Sequence, residues 1–113
     1  GTPVHVRTIT VNVGAVVINT NSTNIPEKFF LYQNYPNPFN PNTKIRFDLA
    51  RSGNVKLAIY DISGKQVAEI TNANYNAGEY SFDFTAENLA TGVYFYKLTA
   101  NVYTETKKMI LIK

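Results

Sequence analysis

The sequence predicts an all-β protein: a sandwich of two antiparallel sheets with about seven short strands. Three observations carry this. From residue 43 onward apolar and polar residues alternate with a period of two, and helical periodicity is almost absent. Clusters of Gly, Asn and Asp punctuate the alternating runs at short intervals. Eight Tyr and seven Phe, with no Trp, supply the ring-bearing residues that fit a pleated, half-buried surface.

Taken in chain order, Val4 to Val13 reads as a strand rich in Val, Ile and Thr, followed by Val16-Val17-Ile18. Residues 19–26 are polar and turn-prone, as expected of a linker. Two arrangements are open for residues 1–18. They are either the last strand of an upstream domain, which is the preferred reading, or an extra strand on an edge of this domain or of a neighbouring molecule. Residues 1–26 are therefore read as an arm and linker, the tail of an upstream region, and residues 27–113 as the sandwich.

Within the sandwich, Ile45, Phe47 and Leu49 share one face, with Lys44, Arg46 and Asp48 on the other. Val55, Leu57 and Ile59 repeat the pattern. Tyr80, Phe82 and Phe84 are set against Ser81 and Asp83. Tyr94, Tyr96 and Leu98 form a further row, and Met109 with Leu111 the last. Each reads as a strand with one wet face. Asp61-Ile62-Ser63-Gly64 separates two strand-like runs, with Gly where a hairpin needs positive φ. Asn76-Ala77-Gly78, Ala90-Thr91-Gly92 and Ala100-Asn101 mark the other turns. The one helix-like piece, Thr85 to Leu89, is at most a single turn.

Composition narrows the function. At 113 residues there is room for one domain, and an apolar fraction of 44% argues against disorder. With no cysteine, disulfide frameworks and thiolate metal sites are excluded. There is no apolar run long enough for a membrane span. Gly1-Thr2-Pro3 lacks the features of a signal peptide, so an exported protein would carry that signal upstream. The net charge of +3 comes from dispersed basic residues, without the dense stripe that nucleic-acid binding needs.

No chemistry-bearing constellation stands out. The single histidine, His5, lies in the N-terminal arm, and no carboxylate pair occurs in a recognisable setting. The chain is read as no enzyme, with no cofactor. A cation at the Asn-Pro-Phe-Asn-Pro loop would lack carboxylates, since residues 29–47 contain none; no metal is expected. Asp61 reads as a turn-former and Asp83 as an outward strand residue. Tyr32, Tyr75 and Tyr103 offer a contending sugar-stacking platform, without the Trp such platforms favour.

One stretch carries more. In Tyr35-Pro36-Asn37-Pro38-Phe39-Asn40-Pro41 three prolines fix φ and extend the residues before them, Asn37 and Asn40 can cap turns, and Phe39 is an apolar peg. The longer passage that contains it, residues 29–49, resembles the C-terminal sorting domain of the type IX secretion system of Bacteroidetes and related phyla. The resemblance continues through Val55-Lys56-Leu57-Ala58-Ile59-Tyr60-Asp61-Ile62-Ser63-Gly64-Lys65 and Gly92-Val93-Tyr94-Phe95-Tyr96-Lys97-Leu98. It ends with Lys107-Lys108-Met109-Ile110-Leu111-Ile112-Lys113. Together the four blocks cover residues 29–113; residues 1–28 match none of them.

The resemblance implies an immunoglobulin-like sandwich without catalysis that directs a larger exported protein through the type IX machinery. Its implied partners are the outer-membrane translocon, shuttle components and a sortase-like protease that cuts the preceding linker, here residues 19–28. Its implied location is the periplasm in transit, then the cell surface or medium. Recognition is assigned to Lys107–Lys113, with Pro36–Pro41 as the family-motif loop and Asp61, Gly64, Gly92 and Tyr94 as its motif turns. By bare physics Met109 and Leu111 fill the core, Ile110 and Ile112 cover the other face, and the lysines guard an edge. Under the resemblance, the same strand is what the translocon reads, by pairing along that edge. A signal of this kind must end the protein, whereas a spacer could sit anywhere, so a natural C-terminus at Lys113 would favour targeting. The alternatives are a carbohydrate-binding or spacer module of an extracellular enzyme, and a structural domain akin to the immunoglobulin-like part of flagellar hook-capping proteins.

Overall fold

Period-two alternation becomes nine strands in a computed structural model that describes residues 8–10, 16–19 and 25–113. Two short strands, β1 (Thr8–Thr10) and β2 (Val16–Asn19), precede the main body. There follow β3 (Phe30–Leu31), β4 (Asn42–Leu49), β5 (Gly53–Tyr60) and β6 (Gln66–Tyr75). The last three are β7 (Gly78–Thr85), β8 (Gly92–Ala100) and β9 (Tyr103–Leu111). One sheet has the order β1-β2-β7-β4-β3 and the other β6-β5-β8-β9, with every strand pair antiparallel. Among the described residues there is no helix, and hence none long and apolar enough to cross a membrane. The helix-like piece at 85–89 is a turn, closed by Leu89 N donating to Ala86 O.

The inward rows meet between the sheets. Ile45, Phe47 and Phe82 of one sheet and Leu57, Ile59, Tyr96, Leu98, Met109 and Leu111 of the other are wholly buried. Each such side chain contributes about 1.5–3 kcal/mol relative to an exposed one. Phe47 stacks between Tyr80 and Phe82, with ring centroids 5.6 Å from each.

Two corners repeat one device. Tyr80 Oη donates to Asn76 O, and Tyr94 Oη donates to Ala90 O, each reaching back four residues across a glycine-containing turn. The ring enters the core while the hydroxyl fixes the turn that feeds its own strand. The 61–65 turn works differently. Asp61 Oδ1 accepts from Ser63 N, Ser63 Oγ and Lys65 N, and Gly64 holds φ of 88°, where a side chain would be strained.

Strand β2 pairs along the outer edge of β7, with Val17 opposite Phe82. For these described arm residues the edge pairing with this domain is thus the arrangement found. Position His5 and most of the Val4–Val13 run lie outside the described residues.

Candidate functional site

The segment 107–113 is built by β9, whose alternation sorts its residues into two directions. Tyr103, Glu105, Lys107, Met109 and Leu111 share the inward row, graded from half-buried to fully buried. Thr104, Thr106, Lys108 and Ile110 face the other way. Two charges, Glu105 and Lys107, therefore stand half-buried in the inward row of an edge strand. Lys107 is half-buried in this row, Lys108 is exposed on the outer face, and Lys113 is held elsewhere. Its backbone N donates to Thr91 Oγ1 at 3.0 Å and its Nζ to Glu87 O at 2.6 Å. The three lysines do not form one basic cluster.

β9 is an edge strand, yet half of that edge is taken. Phe39 makes a parallel bridge to Leu111: its N donates to Ile110 O at 2.9 Å, and its O accepts from Ile112 N at 3.0 Å. Asn37 Oδ1 accepts from Ile110 N at 2.9 Å, and Gln33 Nε2 donates to Lys108 O at 2.8 Å. The outward backbone groups of Thr104 and Thr106 are left open by this clasp.

The other side of the same strap is tied to β4 and β8. Tyr35 and Lys44 exchange backbone hydrogen bonds of 3.0 and 2.9 Å, and Ala86 N donates to Pro41 O. Asn34 Nδ2 donates to Thr43 Oγ1, which in turn donates to Pro36 O. Tyr96, wholly buried, donates its hydroxyl to Tyr32 O and accepts from Asn34 N, both at 2.8 Å. Burial pushes its pKa up to about 12. Residues 32–41 thereby close the side of the sandwich between the two sheets, with Phe39 buried as the peg and its ring against Phe84. All three X-Pro bonds of the strap are cis. Asn37 caps no local turn; its carbonyl crosses to β9, because the extended strap runs alongside that strand.

The four sequence blocks meet at one end. Leu111 lies opposite Gly92, Lys108 opposite Phe95, and Phe95 opposite Tyr60, from which the 61–65 turn departs. Asp61, Gly64, Gly92, Tyr94, the strap and Ile110–Lys113 are thus gathered around the same rim. The Ser63 hydroxyl, with backbone N–H groups of Lys65 and Ser63, holds the Asp61 carboxyl below its usual range.

The three candidate sugar-stacking tyrosines are committed separately. Tyr32 donates to Asp48 Oδ2 at 2.8 Å and carries the Arg46 guanidinium 4.8 Å above its ring. Tyr75 packs on Tyr80 and Phe82, with its hydroxyl bonded to Thr71. Tyr103 stacks on Phe29 at 5.4 Å. No ring contact joins any two of the three. Asp83 faces outward and lies 3.4 Å from Lys44. Among the described residues no group of three or more His, Cys, Asp and Glu side chains is arranged to hold a metal ion.

Sequence reasoning missed Gln33, Asn34 and Thr43, whose roles are relayed through backbone partners. A family model described as "Secretion system C-terminal sorting domain" matches residues 33–113. The match begins at Gln33, the first residue of the strap to touch β9. No curated protein matches the chain.

Proposed function

The chain belongs to the type IX secretion C-terminal sorting domain family, and from that premise we propose that residues 33–113 direct a larger exported protein through that machinery. Membership implies export to the cell surface or the extracellular space. The observation carrying the finer reading is the family match over residues 33–113, which takes in the strap from Gln33 onward and strands β4 to β9. In this reading the domain is non-catalytic and passes the periplasm in transit. Its partners are the outer-membrane translocon and shuttle components, with a sortase-like protease acting in residues 19–28. Residues 1–26 are the arm and linker that join it to its cargo.

The recognition element is the rim formed by Lys107–Lys113 with the Pro36–Pro41 strap. Pairing along β9 from residue 108 to 112 would first require the strap to leave, since it occupies those backbone groups. Side chains around the rim are the more direct surface to read. The test is an export assay in a bacterium with a type IX system. A signal-peptide-bearing fluorescent reporter is fused to residues 1–113 and to a matched chain lacking residues 107–113. Reporter outside the cell with the first and inside with the second supports the reading. Periplasmic retention of the intact, folded fusion overturns it.

A further inference from the structure

On the outer face of the four-stranded sheet, the register places Tyr60 beside Phe95 and Phe95 beside Lys108. In the next row Val93 stands beside Ile110. Their chain neighbours Tyr94, Tyr96, Met109 and Leu111 fill the core, so these side chains point away from it. Tyr60, Val93, Phe95 and Ile110 are only half-buried, and Ile112, beyond the end of β9, is 49% exposed. The apolar surface is confined to the rim end. Toward the other end the rows become Ala58-Lys97-Thr106 and Lys56-Thr99-Thr104. Single exposed apolar residues are ordinary; a contiguous group on one face marks an interaction site.

Among the described residues, the charges on this face without an ion-pair partner have one sign. Lys97 and Lys108 are exposed on this face, and among the described residues neither has an ion-pair partner. The carboxylate that shares the face, Glu69, lies 3.9 Å from Lys56. We propose that Tyr60, Val93, Phe95, Ile110 and Ile112, with Lys97 and Lys108, form the docking surface for a protein of the secretion machinery that presents an apolar patch bordered by Asp or Glu.

This rests on the sorting reading and specifies the surface through which it works. A second copy is disfavoured, because two-fold pairing through this patch would bring lysines against lysines. A lipid surface is disfavoured as well. The rings are half-buried in a sheet and do not project far enough to enter the acyl boundary, as interfacial anchors do. The patch is small, which suits a transient contact with cargo that must be released.

The test uses the reporter fused to residues 1–113, as wild type and as Phe95→Thr, Lys108→Glu and Thr99→Asn, the last at the polar end of the same face. Thermal unfolding of each purified 113-residue chain accompanies the export measurement. Export is expected to fall about tenfold for Phe95→Thr and for Lys108→Glu, and to stay at wild-type level for Thr99→Asn, all with unchanged melting. Full export of a folded Phe95→Thr chain overturns the patch and leaves the sorting role standing. Failure of the folded wild type to be exported takes both down. Two further results overturn the protein partner. One is flotation of the wild-type chain with phosphatidylcholine–phosphatidylglycerol vesicles, abolished by Phe95→Thr. The other is a dimer in sedimentation that Phe95→Thr dissociates.

Discussion

Asn37 and Ile110 stand 73 residues apart and are joined directly, the Ile110 amide donating to Asn37 Oδ1 at 2.9 Å. With the Phe39 bridge beside it, this bond makes the strap the lateral partner of β9.

Asn37→Leu removes the acceptor while keeping the bulk. Stability in urea is expected to drop by about 1 kcal/mol, the net worth of one such bond. Asn37→Asp keeps an oxygen in place and is expected to lose less. Equal losses for the two would remove the bond from the account.

Phe39→Ala empties the peg's site in the core, where Phe39 is 2% exposed. A loss of about 3–5 kcal/mol is expected by urea denaturation. Amide hydrogen exchange at Ile110 and Ile112 should rise at the same time, since their acceptors lie on the strap.

Tyr96 gives the alkaline limb. Its folded pKa is raised above 10.0, to about 12, so the fold favours the protonated phenol. Stability is full below pH 10 and is lost as pH rises toward 12, by about 1.4 kcal/mol per pH unit within that window. Tyr96→Phe should flatten this limb, while costing about 1–3 kcal/mol at neutral pH through the unmet Asn34 N and Tyr32 O.

Asp61 works at the acid end. Its folded pKa is lowered, so its contribution is present above the unfolded value and is lost as pH falls through the folded one. Asp61→Asn should make stability less sensitive to pH in that acid range. An unchanged acid limb would show that the turn draws nothing from the carboxylate.

Glu105 and Lys107 point inward at the unclasped half of β9, where a flat apolar edge would invite another strand. The double substitution Glu105→Val with Lys107→Val is expected to produce concentration-dependent association in sedimentation velocity. A monomer at all concentrations would assign edge protection to other residues.

The strands with one wet face were plain in the sequence, because rows such as Ile45-Phe47-Leu49 and Tyr80-Phe82-Phe84 follow the pleat directly. Strand β6 was not: as an edge strand with register shifts opposite β5, its polar Gln66–Tyr75 stretch carries little alternation. The strap was legible as a rigid loop with an apolar peg. Its hold on β9 was not, because backbone groups make most of those bonds and any residue type supplies them. The outer patch had left a trace, since Val93 and Phe95 are apolar where the alternation of β8 calls for polar side chains. That trace becomes a surface only when the register sets them beside Tyr60 and Ile110.

The clasp between residues 33–39 and 108–112 also orders events in time. During synthesis the strap emerges some seventy residues before the strand that satisfies it. A nascent chain halted short of residue 108 can stack its earlier hairpins but cannot seal the side of the sandwich. Sealing therefore waits until residues 108–112 have been made, and a transport apparatus that accepts only the sealed rim would pass over products interrupted before them without inspecting the cargo.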